Sequence, residues 1–502
     1  VYGRRVSFRP GREVLWTGAL FALFLFALLL QPIRSADFWW HLKVGEIVLE
    51  ERTVPRVDRF SSIMAGQPYI YQSWLAGVCF ALLFRWGGAG AVVVAHAGLL
   101  VAAYALLWAS CRKGSGHPLV ATACTFVAMV VCGGNWGIRP QSFSTFFFAL
   151  FFWLLVRHGV GERVPFWAFP LGMLFWANLH GAFVLGLGLL GAALVGEIVA
   201  GFWPGRPFAV VPVRRLAGLA VAFAASVAAT LVNPVGPRIY AYLGTIQRNP
   251  VIHRAIAEWQ PPRVDSPVGG AFYASLFGLF FSLLYFGHRP HPRAALWLLG
   301  TGCLALGGVR SILWYTFPMA LLGAEATRGL RLRPPAPPTK IQALANSLFL
   351  ALCVGLVLLA LPPLKAHLPL PPDLRYVVAP DTPVRAADYI QRHALSGPIF
   401  HRMEYGDYLL WRFYPQRRVF VDPRIELYSP ELWEGYQRIS QGGTEAGALL
   451  ERYGIQVLLL DVERQAGLLA WARASGVWQL CYWDENEGTA VLARVCPAGE
   501  TQ

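Results

Sequence analysis

The sequence predicts a polytopic α-helical membrane protein that ends in a soluble α/β domain, and three observations carry that expectation. Of 502 residues, 56% are apolar and 14% charged, against roughly 25% charged in soluble domains, and the mean hydropathy is +0.46. Apolar runs long enough to cross a bilayer recur from residue 13 to residue 362. From about residue 365 the pattern changes to short β-rich runs alternating with amphipathic helical ones. The net charge of +15 is spread over the short connections between apolar runs. That argues against nucleic acid as a partner and for charges that orient the chain in a membrane.

Windows of about nineteen residues place spans at 13–31, 90–110, 117–135, 142–156, 166–180, 184–202, 216–233, 269–287, 294–309, 314–327 and 341–362, about eleven in all. The run 71–86 fits a short span or a helix lying in the interface, with Trp74, Leu75, Val78, Phe80 and Leu83 as its apolar residues. The basic residues decide. If the run is interfacial, Arg4, Arg5, Arg9, Arg12, Arg112, Lys113, Arg157 and Arg163 all face the cytoplasm. So do Arg206, Arg214, Arg215, Arg289, Arg293, Arg328, Arg331, Arg333 and Lys340, as the positive-inside rule requires. Loop 32–88 and everything beyond Pro363 then lie outside the cytoplasm, with the N-terminus inside. The first apolar run lacks a small-residue cleavage site and is expected to remain as an anchor.

The proline-rich stretch 333–340 reads as a stiff connector before the last span. The resulting division is a membrane domain, 1–364, and an extracytoplasmic α/β domain, 365–502. In the latter, strands are expected at 398–401, 418–421, 456–460 and 479–483, helices at 383–394 and 463–474, and a hairpin turn at 485–488. No internal repeat is visible. Cys79, Cys111, Cys124, Cys132, Cys303 and Cys353 lie in or beside apolar runs and read as small hydrophobes; a disulfide between Cys481 and Cys496 is left open.

The first outer loop opens with Asp37-Phe38-Trp39-Trp40-His41-Leu42. Apolar residues at helical spacing predict an amphipathic helix over 38–49, resting on the bilayer with Asp37 at its N-terminus. There Asp37 is either a helix cap beside membrane-belt aromatics or a general base that takes a proton from an acceptor hydroxyl. His41 and Asp58 share this loop and complete the candidate catalytic set. The same topology brings further polar residues to the outer face: Arg139 and Gln141, Asn178 and His180, Glu258 and Trp259, and Arg310. Any one of these would sit at a membrane edge simply by snorkelling; their convergence on one side suggests a site. Guanidinium groups suit phosphate oxygens, so for a phosphate-linked sugar Arg139 and Arg310 would hold the phosphate and His180 and Asn178 would lie near the sugar. Trp39, Trp40 and Trp259 would stack on sugar faces or serve as belt residues.

An outer loop with Asp37, aromatic residues, a helical stretch running to Pro55 and a closing Gln72-Ser73-Trp74-Leu75 segment resembles the membrane glycosyltransferases of the GT-C superfamily. Protein O-mannosyltransferases, the lipid A aminoarabinose transferase and the oligosaccharyltransferase catalytic subunit belong to that group. The likeness implies that Asp37 is the catalytic acidic residue and that 71–86 is the second juxtamembrane helix. Phe38 stands where the pattern usually has a Glu, and Gln72-Ser73-Trp74-Leu75 where it has Pro-Pro-Leu. The Asp-x-Asp pair of oligosaccharyltransferases is replaced by Arg139-Pro140-Gln141, so no metal is expected to be required; for Mg or Mn the outer-face oxygen donors would be Asp37, Asp58 and Glu258. The Asp-x-Trp-Trp-His-Leu motif and the tail motif Gly406-Asp407-Tyr408-Leu409 resemble an uncharacterised bacterial branch. The implied activity is inverting transfer of a sugar from a polyprenyl-phosphate donor, drawn from the membrane lipids, to an acceptor outside the bacterial plasma membrane. A flippase of lipid-linked sugars and a non-catalytic envelope scaffold are the alternatives. Few ionisable residues inside spans, Glu197 among them, speak against the first. In the tail, Asp422 and Arg424 end an apolar run expected to be a strand, as a functional pair or an internal salt bridge.

Overall fold

The computed structural model describes residues 10–205, 208–209, 211–330 and 336–497. Arg4, Arg5, Arg9, Arg206, Arg331, Arg333 and the start of the proline-rich connector lie outside the described residues. Helix α1 (Arg12–Leu30) leads through a short loop to α2 (Phe38–Glu51), and a longer loop leads to α3 (Trp74–Ser115). Then come α4 (Pro118–Cys132), α5 (Gln141–Gly159), α6 (Ala168–Leu179), α7 (Phe183–Phe202) and α8 (Val213–Thr230). Two helices not anticipated from the sequence, α9 (Arg238–Arg248) and α10 (Pro250–Ala255), run into a 3-10 turn at Ala257–Trp259. Helices α11 (Pro267–Tyr285), α12 (Pro292–Gly307), α13 (Ile312–Ala326) and α14 (Lys340–Leu359) complete the apolar part.

A helix lies in each window assigned to a span. Among the described residues, seven (α1, α3, α5, α7, α8, α11 and α14) are long and apolar enough to cross a membrane. At 1.5 Å per residue, α3 would measure about 63 Å, twice a hydrocarbon core of about 30 Å. It is broken at Gly87 and Gly88, the latter at φ +62°, a conformation that costs glycine little. The break separates the 71–86 run from the rest of the helix. Helix α13 is buried on every side from Ile312 to Leu322, the mark of a central helix, and a 3-10 turn at Val309–Ser311 delivers Arg310 to its N-terminal end.

The C-terminal region begins with two single turns, α15 (Pro362–Lys365) and α16 (Pro372–Arg375), followed by α17 (Val384–Arg392), β1 (Ile399–His401) and α18 (Met403–Phe413). Helices α19 (Pro430–Gln441) and α20 (Ala446–Arg452) precede β2 (Val457–Asp461), α21 (Ala466–Ala474), β3 (Gln479–Asp484) and β4 (Thr489–Ala493). The sheet order is β1-β2-β4-β3, with β1 parallel to β2 and the other pairs antiparallel. β2 is buried along its whole length, as a central strand covered on both faces should be. Asp484 accepts the N–H groups of Asn486 and Glu487 in the β3–β4 turn, and a disulfide joins Cys481 to Cys496.

Two expectations are corrected here. Residues 418–421 are not a strand of this sheet. Val419 pairs instead with the outer loop, donating to the Phe60 carbonyl at 2.9 Å and accepting from Ser62 at 2.8 Å, so the apolar run docks the C-terminal region onto that loop. Nor is the apolar face of α2 free to lie on a bilayer. The first part of α3 encloses it on one side and α18 on another, and Phe38, Trp39, Leu42 and Val44 are buried in protein. The ring of Trp39 lies 4.8 Å from that of Trp411 and 5.2 Å from that of Tyr408. α2 crosses α3 backbone to backbone: a Cβ at Gly45 would overlap the Gly77 carbonyl, and one at Gly77 the His41 carbonyl. This crossing fixes the start of α2, and with it Asp37.

Candidate active site

Asp37 lines a cavity of about 550 Å³. Arg139 and Gln141 enter it from the start of α5, His180 from the end of α6 and His41 from the first turn of α2. Glu258 and Trp259 come from the 3-10 turn and Arg310 from the approach to α13. The connections between the apolar helices thus contribute together to one site.

Asp37 occupies the N-cap position of α2, yet its side chain makes no capping hydrogen bond. The N–H groups of Trp39 and Trp40, which an N-cap carboxylate would normally accept, donate instead to Asp407 Oδ2 at 3.3 Å and Oδ1 at 2.8 Å. Asp37 keeps a long contact, 3.4 Å, from the indole N–H of Trp40, and otherwise opens on the cavity. Burial pushes its pKa up to about 6; Arg139 draws it down, Glu258 pushes it up, and the Trp40 contact and Arg310 lower it.

Glu258 accepts two bonds from one Arg139 nitrogen, at 2.8 and 3.0 Å. Arg310 approaches Glu258 to 4.0 Å and lies 4.2 Å over the Trp259 ring. Burial raises the Glu258 carboxyl, but the two arginines outweigh it and hold the group below its ordinary value. Gln141 is 4% exposed, and neither end of its amide has a partner among the described residues; the same holds for Arg139 Nε. An orphaned buried polar group costs about 1–3 kcal/mol, which a ligand carrying both donors and acceptors would recover. His180 Nδ1 is 2.8 Å from Ser144 Oγ. His41 is stacked on Trp40 and is held well below its ordinary value by burial first, then by His180 and Arg424.

Two residues expected at the site are elsewhere. Asp58 is fully buried against Arg424 at 2.7 Å and accepts the N–H groups of Phe60 and Ser61. It stabilises the loop and its dock with the C-terminal region, so it does not join Asp37. Arg424 also pairs with Asp422 at 2.6 Å, and Tyr428 donates to Asp422 at 2.8 Å; the 422/424 pair is an internal salt bridge. Asn178 accepts from Trp74 Nε1 at 2.9 Å and donates to the Leu174 and Val232 carbonyls, tying α6 to α3 and α8. Glu426 and Arg464, which sequence reasoning missed, line the cavity from the C-terminal region. The available signal for Arg464 was its place just beyond the carboxyl end of β2, where α/β sheets carry function.

A second cavity, of about 760 Å³, lies between the outer loop and α9, with Glu426 in its wall as well. Tyr69 and Tyr242 both donate to Glu426 Oε1, at 2.7 and 2.9 Å, so one carboxylate is shared by the two cavities. Among the described residues no group of three His, Cys, Asp or Glu side chains converges to hold a metal ion. With Asp58 committed to Arg424 and Glu258 to Arg139, the oxygen donors expected for Mg or Mn do not fit one.

No protein-family profile and no curated protein sequence matches the chain. Its fold is similar to that of solved oligosaccharyltransferase and arabinofuranosyltransferase structures. The apo oligosaccharyltransferase of Archaeoglobus fulgidus superposes with a TM-score of 0.54 at 13% identity, over 93% of this chain and 72% of the other. The same organism's oligosaccharyltransferase AglB, in complex with an inhibitory peptide and a dolichol-phosphate, gives 0.51 at 12% identity, over 96% and 74%. The mycobacterial arabinofuranosyltransferase AftD gives 0.55 at 14% identity; there 98% of this chain is covered but only 40% of the larger protein. At such identities the likeness is one of fold.

Proposed function

We propose that the chain is a membrane glycosyltransferase that moves a sugar from a polyprenyl-phosphate donor to an extracytoplasmic acceptor hydroxyl, with inversion. Asp37 takes the hydroxyl proton as the oxygen attacks the anomeric carbon. The bond from that carbon to the phosphate oxygen breaks with its electron pair leaving on the phosphate. Arg139 and Arg310 hold the phosphate and stabilise its added charge, while Trp259 and His180 flank the sugar. The second cavity, joined at Glu426, is the acceptor's route.

The observation that carries this reading is a carboxylate at a helix N-terminus that is free of capping duty, raised to about 6 by burial, and opens on two arginines. Such a group is mostly ionised near neutrality yet basic enough to accept a proton. Sidedness is supported from the far end of α5: Lys113 and Arg157 pair with Glu162, and Arg215 donates to its carbonyl. Loops assigned to the cytoplasm therefore meet each other away from the Asp37 cavity. The Cys481–Cys496 disulfide fits an oxidising compartment outside the bacterial plasma membrane. Glu197, which a flippase would use, is buried against Arg293, a pairing that suits packing of α7 on α12. In membranes supplied with radiolabelled polyprenyl-phosphate sugars, Asp37→Asn is expected to abolish transfer; unimpaired transfer by this variant would refute the reading.

A further inference from the structure

The buried carboxylate of Asp407 lies outside the cavity and takes no part in the chemistry set out above. It belongs to the tail motif Gly406-Asp407-Tyr408, in the first half of α18, and is completely shielded from solvent. A Cβ at Gly406 would overlap the Val421 carbonyl, so glycine lets α18 press against the segment that docks on the outer loop. In that position Asp407 receives the N–H groups of Trp39 and Trp40, the second and third residues of α2. Those are the donors that an aspartate at the N-cap satisfies with its own side chain. Asp37 holds the N-cap position and satisfies neither.

We propose that Asp407 is a positioning residue: by capping α2 from the C-terminal region, it releases Asp37 from the helix end and turns it into the cavity. The C-terminal region is then part of the catalytic unit. Without Asp407, the Asp37 carboxylate turns back onto the Trp39 and Trp40 N–H groups, where two hydrogen bonds to its charged form make it a weaker base and take it away from an acceptor. Arg139, Glu258, Arg310, His41 and His180 face Asp37 across the cavity, Glu404, Glu426 and Arg464 line it from the C-terminal region, and Asp407 itself, held well above the ordinary carboxyl range chiefly by burial, is close enough for the two carboxylates to repel each other. The inference rests on Asp37 being the base, but its test does not need turnover.

Two measurements on the full chain in detergent test it. The first is infrared titration of the carboxyl band that disappears in Asp37→Asn. In the wild type this band is expected to titrate near 6, and in Asp407→Ala to shift down towards the ordinary carboxylate range. The second is a thermal-unfolding cycle. With Asp407 present, Asp37→Ala leaves the Tm unchanged or raises it, because a buried carboxylate with a raised pKa opposes folding above that pKa. In the Asp407→Ala background, where Asp37 has become the cap, the same change lowers the Tm. If Asp407→Ala does not fold, Asp407→Asn, which keeps one acceptor atom, is expected to give smaller effects of the same sign. An unshifted Asp37 band together with additive Tm changes would overturn the proposal. Retained transfer in Asp37→Asn would instead overturn the function, and the two failures are separable.

Discussion

Glu258→Gln should move the acidic limb of the pH–rate profile downwards. Glu258 acts on Asp37 in two ways. Its charge repels the Asp37 carboxylate directly, and it engages Arg139 at 2.8 Å and Arg310 at 4.0 Å, offsetting both positive charges. The glutamine amide keeps the shape and removes the charge, so both effects favour ionised Asp37. The limit is the fall from about 6 to the ordinary 3.8, roughly 3 kcal/mol of charge stabilisation. The base must be deprotonated to act, so activity rises with pH through its pKa. At pH 5 about a tenth of the wild-type sites are competent, against about nine-tenths for a base with a pKa near 4. Normalised to its own plateau, the variant should therefore be up to about tenfold more active at pH 5. The assay is transfer of radiolabelled sugar in membrane vesicles between pH 4.5 and 8, read by curve shape and not by height. A limb that stays near 6 or moves up would show that Glu258 does not set the basicity of Asp37.

Other outcomes follow from the same structure. Arg424→Ala leaves the Asp58 and Asp422 carboxylates buried without their cation and should cost about 3–5 kcal/mol of stability; a loss under about 1 kcal/mol in a denaturation midpoint would contradict the buried triad. Gly45→Ala drives a methyl into the Gly77 carbonyl at the α2–α3 crossing and should destabilise by about 1–3 kcal/mol or more, where an open helix position would gain from alanine. Gln141→Leu removes an amide with no partner among the described residues. It should leave apo stability level or higher, and diminish the thermal stabilisation given by added undecaprenyl phosphate.

The apolar helices were legible because their signal is local: each window carries its own hydrophobic run, and α13 or α7 needs no distant partner to be recognised as helical. The neighbours of Asp37 were legible for a related reason. Counting basic residues by loop parity sends Arg139, His180, Glu258 and Arg310 to one side, and the structure brings them into one cavity. The residues that sequence reasoning misplaced have their fate decided by partners far along the chain. Asp58 looks like Asp37 until Arg424 takes it; Asn178 looks like a sugar contact until Trp74 does. The 418–421 run has a strand's composition and pairs with the outer loop instead of the sheet. The clue to Asp37 itself, its missing cap bond, lies at Asp407 and could not be read from the loop alone.

The most direct test of the account is a structure of the protein with undecaprenyl phosphate bound. Phosphate density is expected between Arg139 and Arg310, with Arg139 drawn from Glu258, the Gln141 amide engaged, and Asp37 facing the same space. Phosphate density away from this cavity, with the Arg139–Glu258 pair intact, would contradict it.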